Sequence, residues 1–172
     1  MIIFLSIAAA TFLSGRLLKR RNRSQRPHYG NRSKPKTLDP QNWQQRRPYP
    51  GDYHGSPDIS YEPHHDQYAD PGEVVWSWVP YREDHSQGKD RPVLLIGRDK
   101  QYLLAVMMSS KSHDSRYWLN IGTGPWDKKR RESEVLINRI IRVHPADVRR
   151  IGARMPRDKF DYIAAGIKSF TN

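Results

Sequence analysis

From Glu73 onward the apolar residues of the chain fall into short runs separated by polar turns, a spacing that predicts strands. In Glu73-Val-Val-Trp-Ser-Trp-Val79 the alternation sets Val74, Trp76 and Trp78 on one face, as a half-buried strand requires. A polar loop from Tyr81 to Asp90 follows, and Pro92-Val-Leu-Leu-Ile96 is then continuous enough for a buried strand. Gly97 to Lys100 reads as a turn, after which Tyr102 to Met108 returns to complete a hairpin. Tyr117 to Ile121 is a further strand, closed by Gly122-Thr-Gly-Pro125, and Glu134 to Leu136 with Arg139 to Val143 supplies one or two more. The period then changes. Val148 and Ile151 are spaced i, i+3 after His144-Pro145, and Phe160, Ile163, Ala164 and Ile167 form an apolar stripe that predicts a helix beginning near Arg157-Asp158. Five or six short strands and one terminal helix, with no βαβ alternation, suit a small, strongly curved β-barrel better than a doubly wound sheet.

The chain before Pro71 follows neither period. Residues 1–15 carry no charged side chain and are mostly apolar, and Arg16, Lys19, Arg20 and Arg21 come directly after. A spanning helix needs about 20 apolar residues, so this stretch is short. Positive charge after the run rather than before it argues against a cleaved signal. It points to an N-out anchor over residues 1–18 with the remainder at the cytoplasmic face of the membrane. The alternative is a peripheral apolar tail on a cytoplasmic protein. Residues 19–70 read as a disordered linker, with eight prolines from Pro27 to Pro71 and no apolar periodicity. Its charge is divided. Residues 16–47 hold eleven Lys/Arg against Asp39 alone, whereas residues 48–70 hold five acids and no Lys/Arg.

Composition narrows the chemistry. A net charge of +12 favours anionic partners, either nucleic acid or an anionic membrane surface. The absence of cysteine excludes disulfides, thiolate metal sites and cysteine nucleophiles. No GxSxG, Walker or HExxH motif is present. His54 and His64-His65-Asp66 are too irregularly spaced for a metal site, so neither metal nor cofactor is expected.

Three segments taken together are more specific. They are Pro71-Gly-Glu-Val-Val-Trp76, Ser86-Gln-Gly-Lys-Asp-Arg-Pro-Val-Leu-Leu-Ile96 and Val106-Met-Met-Ser-Ser110. In this order they resemble the MazF/PemK family of toxin endoribonucleases. The resemblance continues through Val135-Leu-Ile137, Ile141-Arg142 and the stripe from Phe160 to Ile167, and so covers about residues 71–170. It implies an SH3-like barrel with a C-terminal helix, forming a homodimer, that cuts single-stranded RNA without a metal and is held in check by an acidic antitoxin. Arg91 takes the place of the family's catalytic arginine and Ser109 that of its catalytic hydroxyl residue, more usually Thr. Gln87 and Gly88 belong to the loop bordering the RNA groove. Ser110 is adjacent to Ser109 but alternates to the other face, and Lys128, Lys129, Arg130 and Arg131 are candidate phosphate contacts. His85 and His113 lie in loops from which they could move protons. The long N-terminal extension departs from the family pattern. It keeps open two other readings: a catalytically silent nucleic-acid-binding or antitoxin-binding barrel tethered at the membrane, and a membrane-associated regulator whose basic linker binds lipid. Taken singly, Arg91 also reads as a strand-entry residue paired with Asp90 or Glu73.

Overall fold

The computed structural model describes residues 47–64 and 66–171 of the chain. Its frame is one antiparallel sheet of six strands: β1 (Glu73–Pro80), β2 (Gly88–Asp99), β3 (Tyr102–Ser109), β4 (Trp118–Gly122), β5 (Ser133–Val143) and β6 (Arg150–Arg154). Among the described residues one α-helix, α1 (Arg157–Thr171), follows the sheet. The order across the sheet is β4-β5-β3-β2-β1-β6. The mainly β reading with a terminal helix therefore holds.

The central strands are buried on both faces, which explains why they read as continuous apolar runs rather than alternating ones. Val74, Leu94, Ile96, Leu104, Val106 and Met108 point to the side covered by α1, where Phe160, Ile163, Ala164 and Ile167 complete the layer. The helix approaches closely because Gly166 leaves room for Leu119; an added Cβ would lie 2.5 Å from its Cδ1. Val75, Val79, Val93, Leu95, Leu103, Ala105 and Ile141 point the other way and build a second apolar layer.

A wide irregularity in β5 shapes this second face. Val106 pairs with Ile140 and Met108 with Val135, so Met107 alone stands opposite Leu136, Ile137, Asn138 and Arg139. Extra residues in one strand bend it and re-aim its side chains. Of the one or two strands that the sequence offers around Asn138, the structure forms one, carrying this bulge.

Three expectations need correction. The stretch after Arg47 is not a free linker but a strap bound to the sheet. Tyr53 bridges to Ile140 and Ile59 to Gly97, and Tyr53, Ile59 and Tyr61 pack on the helix-side layer. Its acids are paired as well: Asp52 with Arg139 and Asp70 with Arg98. The apolar residues of the strap follow no period because each fits its own site, so the pattern could not reveal them. Second, β2 runs through Gly97 to Asp99, and the turn is only Lys100-Gln101. Gly97 serves the strap, since a Cβ there would lie 2.3 Å from the Asp58 carbonyl oxygen. Third, Val148 and Ile151 do not share a helical turn. Pro145–Asp147 is a short 3-10 turn capped by His144, and Arg150–Arg154 is an edge strand on β1. The proposed anchor at residues 1–18 and the linker up to residue 46 lie outside the described residues. Among the described residues no helix is long and apolar enough to cross a membrane.

Candidate functional site

The β1–β2 loop is organised by Asp84. Its Oδ1 accepts from the Ser86 amide (2.9 Å) and hydroxyl (2.6 Å), and its Oδ2 accepts from Gln87 Nε2 (2.8 Å). These hydrogen bonds, led by that from the Ser86 hydroxyl, hold the Asp84 carboxyl below the usual carboxylate range. The Gln87 side chain thus braces the loop, and its backbone carbonyl accepts from the Tyr81 amide (2.8 Å). Gly88 is a packing glycine. A Cβ there would stand 2.3 Å from the Val79 carbonyl oxygen.

Three residues further on, Arg91 lies opposite Ser77 of β1. It is half-buried, and among the described residues its guanidinium has no hydrogen bond or ion pair. Neither carboxylate suggested by the sequence engages it. Asp90 pairs with Arg149 (3.2 Å), and Glu73 accepts from the Asp70 amide (3.0 Å). Arg91 instead lines an open groove of about 360 Å³ with Tyr81, Arg82, Met107, Asn138 and Arg139. Arg139, 7% exposed, is a wall rather than a ligand: Asp52 receives two of its N–H bonds (2.8 and 3.1 Å) and the Pro80 carbonyl a third (2.8 Å). Asn138 Oδ1 is buried beside the groove without a hydrogen-bond partner among the described residues. Arg139 and Asn138 escaped the sequence reading because only the β5 bulge brings them to Arg91.

Ser109 ends β3. The register Val93↔Met107, carried two residues on, sets Ser109 abreast of Arg91 on the face that Val93 and Met107 share. Its other neighbour is Glu134 of β5. The Ser109 hydroxyl accepts from the Lys111 amide (3.1 Å), a local turn that launches the loop to β4. Ser110 is exposed in that loop. His113 of the same loop binds Glu134, with Nδ1 at 2.8 Å and its amide at 3.0 Å, and stacks flat on Trp118. His85 is elsewhere, edge-on to Tyr49 in a second cavity that the strap forms with Trp78, Tyr102 and His144. There burial, then the charge of Arg47, keeps His144 below its ordinary value.

The basic run Lys128 to Arg131 is exposed between β4 and β5. Arg131 is tied to Asp127 (2.7 Å). None of the four lines the Arg91 groove. Among the described residues no His, Asp and Glu group could hold a metal. His64 binds Asp70 instead (2.9 Å), while His65 lies outside the described residues.

Residues 70–171 match the family described as PemK-like, MazF-like toxin of type II toxin-antitoxin system. No curated protein matches the chain. Among solved structures it is similar to MazF (Form-I) from Deinococcus radiodurans at 18% identity and a TM-score of 0.50, covering 60% of this chain and 96% of that one. It is similar also to MazE-MazF (Form-II) from the same organism, at 15% and 0.45 over 60% and 95% of the two chains. An endoribonuclease in complex with its cognate antitoxin, from a mycobacterial species, aligns at 11% and 0.46 over 58% and 91%. At such identities the likeness is one of fold.

Proposed function

The chain belongs to the PemK-like, MazF-like toxins of type II toxin-antitoxin systems, and from that premise we propose that it cuts single-stranded RNA at the Arg91 groove. The observation that carries this reading is a half-buried guanidinium without a partner among the described residues, in an open groove whose other buried cation, Arg139, is already neutralised. Such a cation suits a phosphate. It can contact two phosphate oxygens at once and is positioned before charge develops on phosphorus. Attack by the RNA's own 2′-hydroxyl brings its nucleophile with the substrate, so the protein has to align the strand and stabilise the phosphorane. Ser109 assists from the same face, because its oxygen accepts from Lys111 while its proton makes only a 3.4 Å contact with the Lys111 carbonyl. Gln87 and Gly88 act through loop geometry, and Lys128, Lys129 and Arg130 hold RNA outside the groove.

The full chain incubated with a long single-stranded RNA in EDTA gives discrete fragments. Arg91→Ala lowers the rate about 10²- to 10³-fold, the range for removing one pre-placed transition-state donor. RNA that is bound but left intact by the wild type would replace this reading with that of a silent binding module. A net charge of +12 makes an acidic antitoxin segment the fitting inhibitor. The active unit is a homodimer, which sedimentation tests, and residues 1–18 tether it to the cytoplasmic face of the membrane, which cell fractionation tests.

A further inference from the structure

Arg91 and Ser109 do not end the row of polar side chains on this face. The register Ser109↔Glu134 and then Asn120↔Glu134 carries the row across β3, β5 and β4. One position along, Met107 and Leu136 form part of the groove, and Trp118 stands abreast of Leu136. His113 lies on Trp118 with ring centroids 3.8 Å apart and planes 5° from parallel. Neighbouring strands are about 4.8 Å apart, so Trp118 on β4 stands three strand spacings, roughly 14 Å, from Arg91 on β2. The imidazole stacked on it lies at the β4 end of the same row, with the reach of the Arg91 side chain and of the loop between them.

Three contacts fix that imidazole. The Trp118 face sets its plane, Glu134 Oε2 binds Nδ1 at 2.8 Å, and the same oxygen accepts the His113 amide at 3.0 Å. The Ser109–Lys111 turn sets the start of the loop. A carboxylate is an acceptor only, so in the neutral ring Nδ1 carries the proton and Nε2 keeps its lone pair. His113 is 31% exposed at the side chain, against 11% for Glu134, so the carboxylate is largely covered while the ring meets solvent. A loop needing only an anchor is served by the amide bond to Glu134; the stack and the second bond orient a ring.

We propose that His113 is the general base of the RNA cleavage, with Glu134 and Trp118 as its positioning residues; this rests on the ribonuclease reading above. Nε2 takes the proton of the 2′-hydroxyl, and the oxygen's electron pair forms the new P–O2′ bond. The P–O5′ bond breaks with its pair on O5′, which takes a proton from water. The products are a 2′,3′-cyclic phosphate and a 5′-hydroxyl, and His113 then returns its proton to solvent.

The test measures cleavage by the full chain against pH, beside binding of a 2′-O-methyl RNA that cannot be cut. Glu134 is the titratable group that touches the ring; Lys111, Asp114 and Arg116 of its own loop are exposed and form no ion pair with it. In the wild type the rate rises with pH along an acid limb. His113→Ala removes that limb and lowers the rate about 10²- to 10⁴-fold, the usual range for a general base. It binds the 2′-O-methyl RNA within about twofold of wild type, and added imidazole restores part of the rate. Should that variant misfold, His113→Asn keeps an amide for Glu134 but no base, and gives the same loss. Glu134→Gln lowers kcat with KM little changed and moves the limb. A His113→Ala chain that cuts as fast as wild type, or that loses an alkaline limb instead, overturns the assignment while the Arg91 reading stands. A wild type that cuts no RNA overturns both.

Discussion

Arg91 and Arg139 share a groove in opposite electrostatic states. Arg139 has its charge answered by Asp52 and its third N–H by the Pro80 carbonyl, whereas Arg91 has no partner among the described residues. Burial presses the Asp52 carboxyl upward, but the hydrogen bonds from Arg139 and Tyr49 and the Arg139 charge outweigh it, leaving the group below its ordinary range. The same burial, with the bond to Asp52, pushes the Tyr49 hydroxyl up, so Tyr49 stays a neutral donor. Asp52→Ala would strand a nearly covered guanidinium; it costs about 3 kcal/mol, the lower end for breaking a buried pair from one side. Urea denaturation of the full chain measures it. An Asp52→Ala chain as stable as wild type would mean that solvent reaches Arg139. Nothing in the local sequence separates the two arginines. Each precedes apolar residues of a strand, and only the strap, 87 residues away from Arg139 along the chain, tells them apart.

Elements carry the next set of consequences. The strap crosses β2 at Gly97, where a Cβ would press on the Asp58 carbonyl oxygen. Gly97→Ala forces the strap or the strand to move, at about 1–3 kcal/mol for an overpacked site. Limited proteolysis should then cut within residues 47–64 well before the sheet. Acid loosens the same element. Because the folded Asp52 titrates below its unfolded value, its stabilisation is complete above the unfolded carboxylate pKa of about 3.9 and is lost as pH falls through the folded value. Protease sensitivity of the strap should rise below about pH 4 in the wild type, while Asp52→Asn should be sensitive already at neutral pH. A flat profile in the wild type would place the strap's hold in Tyr53, Ile59 and Tyr61 rather than in the ion pair. The β5 bulge is the other decisive element, since it alone brings Asn138 and Arg139 to the groove.

At the scale of the whole molecule, charge and site are separated. Lys128, Lys129 and Arg130 are exposed on the β4–β5 loop, and none of them lines the Arg91 groove. They should therefore contribute affinity without chemistry. Lys128→Ala/Lys129→Ala should reduce the salt slope of RNA binding by about 1.4, at about 0.7 per phosphate contact on a single strand. The cleavage rate at saturating RNA should not change. A fall in that rate would mean that the β4–β5 loop reaches the reacting strand.

The sequence by itself determined the fold class, the order of the main strands and the terminal helix, because burial on one or two faces writes a period into the residues that form them. It also nominated Arg91 and Ser109 as candidates, because three weak motifs in a fixed order resemble one family. The edge strand β6 stayed hidden: Arg150-Ile-Gly-Ala-Arg154 holds too few apolar residues to alternate, and its pairing with β1 is made by backbone groups that every residue carries. The strap stayed hidden because proline-rich, aperiodic sequence is what disorder looks like until each aromatic meets its own hole. Only the tertiary structure decided which arginine keeps an unanswered charge, that Gln87 braces a loop, and that Glu134 and Trp118 hold His113. Those distinctions depend on partners supplied by remote segments, and the distance between two such segments is set by strand register and a bulge rather than by any local run of residues.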